Sequence, residues 1–184
     1  MKRCAWAEGS PELRAYHDEE WGVPRYDEAI LFEMLVLESF QAGLSWSLIL
    51  RKREAFRRAF GGFDPERIAR YGARDIARLL GDEGIVRSRA KIAATIANAN
   101  ACLAMRENGE RLSELVWSFV DGEPVLGGHR VPTQSTASEA LSAALKARGY
   151  SFVGAVTMYS FMQAVGMVND HAPDCFRRDA LTPR

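Results

Sequence analysis

ILFEMLVLESFQAGLSW, residues 30–46, is apolar almost all the way round a helix, the pattern of a helix buried inside a bundle rather than lying on its surface. Leu31, Leu35, Glu38 and Ala42 follow the i, i+4, i+7, i+11 spacing, so Glu38 shares a face with two leucines. A carboxylate there is costly unless it is paired or lines a cavity. Glu33 falls on another face and is expected to reach water. After the break at Gly43 comes Trp46, and the preceding helix supplies Tyr16 and Trp21. Flat rings around a half-buried carboxylate would suit a flat, electron-poor or cationic ligand. The same residues also fit a plain core, with Glu38 paired to Arg51 or Arg53.

Outward from this stretch, helical periodicity dominates. It predicts helices over about 11–19, 27–41, 45–60, 64–70, 73–80, 87–107, 110–120, 135–148 and 152–168. Asp27, Asp64 and Ser135 are starts, Pro65 suits a first turn, and Gly109 and Gly149 are stops. DGEPVLGGHRVPT, residues 121–133, reads as one irregular loop, and no alternating strand pattern is found. The expected fold is all-α, a compact helical bundle forming a single domain over 1–184.

The chain has 184 residues, 47% of them hydrophobic, with 24 basic and 24 acidic side chains. A balanced charge points to no partner by itself, so nucleic-acid binding would need locally concentrated positive charge. There is no 18-residue apolar stretch to span a bilayer, and no signal peptide is expected after the basic start MKRCAWAEGS. Three cysteines suit a reducing cytoplasm better than a disulfide framework.

Cys175 follows His171 by four residues in VNDHAPDC, and Cys4 and His17 stand at the other end. Together they make a Cys2His2 set of types that suit tetrahedral zinc. Such a site would tie segment 1–20 to segment 165–184. Closing so long a loop contributes about 4–5 kcal/mol in the chain-entropy account of cross-links. Four protein ligands leave no open position, which favours a structural ion. The alternative is a buried Cys4 and a surface His17 with no metal. His129, in the polar loop, has no evident partner.

IARLLGDEGIVRSRAKIAATIANA, residues 76–99, gives a helix, a turn with Gly81 and Gly84, and a second helix entered near Arg87. Glycine lets backbone approach an anion closely, and free N–H groups at a helix start attract phosphate. Arg87, Arg89 and Lys91 surround that start. The arrangement is that of a helix-hairpin-helix element over about 73–107 holding a DNA backbone, although Asp82 and Glu83 oppose it. LRKREAFRR, residues 50–58, reads as a solvated helix face.

Taken together, RCAW (3–6), AYHDEEWGVP (15–24), LFEMLVLESFQAGLSW (31–46), KRE (52–54), GIVRSRAKI (84–92), VWSFV (116–120), residues 132–154, YSFMQAVGMVNDH (159–171) and Cys175 resemble the 3-methyladenine DNA glycosylase I family, within the helix-hairpin-helix glycosylases. The resemblance spans nearly the whole chain in order. It implies hydrolysis of the N-glycosidic bond of alkylated adenine in double-stranded DNA, by a cytoplasmic monomer with no membrane association. It implies one structural zinc at Cys4, His17, His171 and Cys175. Glu38 corresponds to the base-recognition carboxylate and candidate catalytic residue. Tyr16, Trp21, Trp46 and Ser160 correspond to base-binding positions, and Gly84, Arg87, Arg89 and Lys91 to the DNA contact. Relatives carry tyrosine where this chain has Leu13, which removes one ring from the expected pocket. The aspartate used by most helix-hairpin-helix glycosylases is missing in this family, so neither Asp170 nor Asp174 takes that role.

Overall fold

The computed structural model describes residues 1–128 and 130–182; His129 lies outside the described residues. The expected all-α bundle is found. Its helices are α1 (Pro11–Glu19), α2 (Glu28–Gln41), α3 (Trp46–Ala59), α4 (Pro65–Ile68), α5 (Ala73–Gly81), α6 (Arg89–Glu107), α7 (Leu112–Trp117), α8 (Thr136–Ala147), α9 (Ala155–Ala164) and α10 (Phe176–Ala180). Side-chain caps set the starts. Ser10, Asp27, Ser45, Ser88 and Ser135 each accept a backbone N–H of the first turn, satisfying donors that the helix itself leaves free.

α2 is the centre. Every residue from Leu31 to Phe40 except Glu33 is buried, and the helix packs on α3, α6, α7 and α9. Its Glu28 accepts from the N–H groups of Leu112 and Ser113 at 3.3 and 2.7 Å. A carboxylate at that end complements the partial positive charge of the α7 N-terminus and joins two helices far apart in sequence.

Glu33 does not simply reach water. It accepts from Arg53 at 2.7 Å and from Arg57 at 2.8 Å, while Arg53 also holds Glu20 at 2.6 Å. This cluster pins α3 to α2 and to the end of α1, and it leaves Glu38 without Arg53.

Two features depart from the sequence reading. The 121–133 segment is not wholly irregular: β1 (Val125–Leu126) pairs in parallel with β2 (Val168–Asn169), Val125 opposite Val168. A two-residue ladder is too short for any alternating pattern to register. The last predicted helix is shorter at both ends, beginning only after Gly154 and stopping at Ala164. The chain turns beyond it at Gly166, with φ of 75°, and Val168 enters β2.

Candidate active site and metal centre

A cavity of about 620 Å³ opens where α1, α2, α9 and the C-terminal segment converge. Trp6, Tyr16, Trp21 and Trp46 line it with rings, and Glu38, Ser160 and Gln163 add polar groups. The Tyr16 and Trp46 rings are 5.3 Å apart and tilted by 49°, and Trp6 meets Trp21 edge-on at 5.0 Å. Separations of this size are ordinary for interacting aromatic pairs.

Glu38 is 4% exposed, and its carboxyl makes no hydrogen bond and no ion pair among the described residues. Burial alone pushes its pKa from the ordinary 4.5 up to about 8. Burial therefore favours the protonated acid near neutral pH, and a neighbouring cation would draw the proton off. Among the described residues, the Tyr16 hydroxyl and the Trp46 Nε1–H are also buried with no partner. Burial first, and the nearby Glu38 second, keep that phenol protonated. The cavity thus holds one unspent acid and two unspent donors, each costly unless something fills the space.

Tyr16, Trp21, Glu38, Trp46 and Ser160, the five positions expected around a base, all line this one cavity. Leu13 is half-buried and not part of the wall. Among the other wall residues, Trp6 and Gln163 were not singled out from the sequence, and Asp170, set aside there as a catalytic aspartate, also stands in the wall. Trp6 sits two residues from Cys4 in RCAW, and that proximity is the signal that could have found it.

Beside the cavity, Cys4, His17, His171 and Cys175 are all buried, with one donor atom of each within 4.8 Å of the others. Cys4 Sγ lies 3.6 Å from His171 Nδ1, and Cys175 Sγ lies 3.5 Å from His171 Nδ1 and 3.3 Å from His17 Nε2. In a tetrahedron with Zn–S of 2.3 Å and Zn–N near 2.05 Å, the S···N edge is about 3.6 Å. The cluster can hold a metal ion of that size.

The far ring nitrogens fix the tautomers. His17 Nδ1–H donates to Asp18 Oδ1 at 2.8 Å, and His171 Nε2–H to the Trp21 carbonyl at 3.1 Å, so each ring turns its other nitrogen toward the cluster. Without a cation, burial pushes the Cys4 thiol up to about 11 and His171 down to about 4. A divalent ion is what would make thiolates stable in such a place. At Gly22, with φ of 79°, an added Cβ would come 3.0 Å from His171 Nε2, so the chain turns there against the ring.

The 82–88 turn departs from the expected phosphate site. The Gly84 N–H is already bonded to Asp82 Oδ1 at 2.8 Å. Lys91 Nζ turns inward, donating to the carbonyls of Phe40 and Ala42, both at 2.7 Å, where it caps the end of α2. Arg87 and Arg89 remain exposed. A second helix–turn–helix stands against the cavity: α8 and α9 pack closely and are joined by residues 148–154. Gly154, just before α9, offers no side-chain cap, and Phe152 in that turn and Val156 in the first turn of α9 are exposed.

Residues 6–178 match the family model of methyladenine glycosylases. The DNA-3-methyladenine glycosylase 1 of Escherichia coli (strain K12) is 50% identical over 179 residues, covering 95% of this chain and 96% of that protein. A crystal structure of a 3-methyladenine DNA glycosylase I matches with a TM-score of 0.93 at 52% identity, over 95% of this chain and 98% of the other. Another, a tyrosine-to-phenylalanine variant in complex with 3-methyladenine, matches with a TM-score of 0.92 at 37% identity, over 100% of this chain and 99% of the other. With the family match running through the aromatic residues of the cavity and three of the four residues of the Cys2His2 cluster, this chain belongs to the methyladenine glycosylase family.

Proposed function

We propose that this enzyme hydrolyses the N-glycosidic bond of 3-methyladenine in alkylated double-stranded DNA, releasing the free base and leaving an abasic site. The observation that carries this reading is Glu38, an acid buried among rings with no partner among the described residues and with its pKa raised to about 8. None of the described residues compensates it; a cationic purine would.

A base inside a duplex cannot be reached, so the nucleotide must be turned out, and a damaged base costs less to unstack. Alkylation at N3 makes adenine cationic. Stacked against Tyr16 and Trp46, such a base lowers the pKa of Glu38, and the carboxylate then accepts from its edge. Neutral adenine gives no such return for ionising a buried acid. Selectivity follows from charge.

Glu38 is a recognition residue before it is a catalytic one. As the bond breaks, positive charge leaves the base and grows on the sugar. A group that steadies the cationic base also steadies the ground state, and uniform binding does not raise the chemical rate. The base departs neutral and needs no general acid. Extrusion, orientation and the weakness of the bond supply the rest.

Cys4, His17, His171 and Cys175 hold one structural zinc in this reading. Bound there, the ion would cross-link the two ends of the chain. Arg87 and Arg89, with the uncapped first turn of α9, face the phosphates, and the enzyme works as a cytoplasmic monomer. The test is to identify the bases released from methylated duplex DNA with no metal added. Free 3-methyladenine is expected. Binding of the DNA without release of any base would leave only a damage-binding module.

A further inference from the structure

We infer that Gln163, held in place by Asp170, is a specificity-determining residue whose side-chain oxygen reads the exocyclic amino group of the bound base. This rests on the glycosylase reading and deepens it.

Asp170 is 5% exposed, at the end of β2 in the cavity wall. Its Oδ2 accepts from the Tyr159 hydroxyl at 2.7 Å and from Gln163 Nε2 at 2.8 Å. A carboxylate only accepts, so the amide must present its NH2 to Asp170 and its oxygen elsewhere. That oxygen accepts no hydrogen bond among the described residues, and it is not one of the sealed, unpartnered atoms. Gln163 itself lines the cavity. Its acceptor is therefore offered to whatever the cavity holds.

Neither partner can drift. The backbone carbonyl of Gln163 accepts from the N–H groups of Gly22 and Gly166 at 3.1 and 3.3 Å. Asp170 Oδ1 packs on the backbone of Gly127 so closely that a Cβ there would come within 1.8 Å of it. The Gly127 carbonyl is in turn held by Arg178 Nη2 at 2.7 Å. The amide is thus locked with one face forward.

Adenine carries an amino group with two N–H donors. Guanine and hypoxanthine carry a carbonyl at the same ring position, which would meet this oxygen acceptor to acceptor. Leaving two buried acceptors unpaired is costly, so one fixed amide rejects keto purines better than a shape filter can.

The test pairs two ligands with two variants. Affinities for free 3-methyladenine and for 3-methylpurine, which lacks the amino group, are measured by calorimetry on the wild type, Gln163→Met and Asp170→Ala. Gln163→Met is expected to weaken 3-methyladenine about tenfold and to leave 3-methylpurine within about twofold. Asp170→Ala, which lets the amide turn over, should shift the same ratio in the same direction, and it carries the comparison if Gln163→Met does not fold. Equal weakening of both ligands, or no weakening of either, overturns the inference. A wild type that binds neither ligand and releases no base from methylated DNA would instead count against the glycosylase reading.

Discussion

His17 donates its Nδ1–H to Asp18 Oδ1 at 2.8 Å, and this leaves Nε2 aimed at Cys175 Sγ, 3.3 Å away. Asp18 is itself gripped by the Arg3 guanidinium, with Nη2 to Oδ2 at 2.7 Å, and that bond first of all lowers its pKa to about 2. The residues next to two of the four donors, Arg3 beside Cys4 and Asp18 beside His17, therefore fix the ring that the donors share. Asp18→Ala should weaken metal affinity by about 10–100-fold, the usual cost of losing such an orienting partner. Competition with a chromogenic chelator measures it. Unchanged affinity would mean that the ring is set by packing alone.

Glu38 makes stability depend on pH in a defined window. Below about pH 4.5 the carboxyl is protonated in both folded and unfolded chains. Above it the unfolded chain releases the proton while the folded one keeps it to about pH 8, so stability falls across that range. Glu38→Gln is neutral throughout and should lose this part of the slope. Its melting temperature at pH 8 should lie closer to its value at pH 5 than the wild type's does. For a domain of this size each kcal/mol moves the midpoint by about 2–4 °C, well within reach of calorimetry.

The same substitution separates recognition from chemistry. Glu38→Gln should weaken binding of free 3-methyladenine more than it slows single-turnover excision from methylated DNA. It keeps the side chain's shape but cannot pass a proton to the neutral free base and become the anion beside the cation so formed. Near-total loss of excision with base binding intact would give Glu38 a direct part in breaking the bond.

Much of this was legible in the sequence. The apolar run around Glu38 was enough to bury it, because a helix surrounded by other helices has no polar stripe to spare. Scarcity made the Cys2His2 set visible: two of three histidines and two of three cysteines stand at the chain ends. What stayed hidden depended on side-chain direction. Glu33 and Arg53 are both on helices that read correctly, yet nothing in their spacing says they meet at 2.7 Å. Gln163 and Asp170 lie seven residues apart with a helix end between them, and it is the turn from α9 into β2 that sets them side by side. Gly127 looked like one glycine in a polar loop, whereas its missing Cβ is what lets Asp170 sit where it does.

Lys91 gives the sharpest division between a basic residue that serves the fold and one that serves the DNA. Read along the chain, Arg87, Arg89 and Lys91 form one positive cluster at a helix start. In space they part: both arginines are exposed, while the Lys91 ammonium is bonded to the last carbonyls of α2, and burial lowers its pKa. That end of α2 leads from Glu38 through Gln41 to Trp46, all in the cavity wall, so Lys91 braces the turn between the recognition acid and a stacking ring. Lys91→Met should cost about 1–2 kcal/mol in denaturant unfolding, the worth of a charged bond at a helix C-terminus, and leave the salt dependence of DNA binding unaltered. Arg87→Ala and Arg89→Ala should do the reverse, each lowering the slope of log affinity against log salt by about one while the unfolding midpoint stays put. A slope that falls in Lys91→Met would mean that the side chain swings out to a phosphate when DNA arrives, and that the α2 cap is given up on binding.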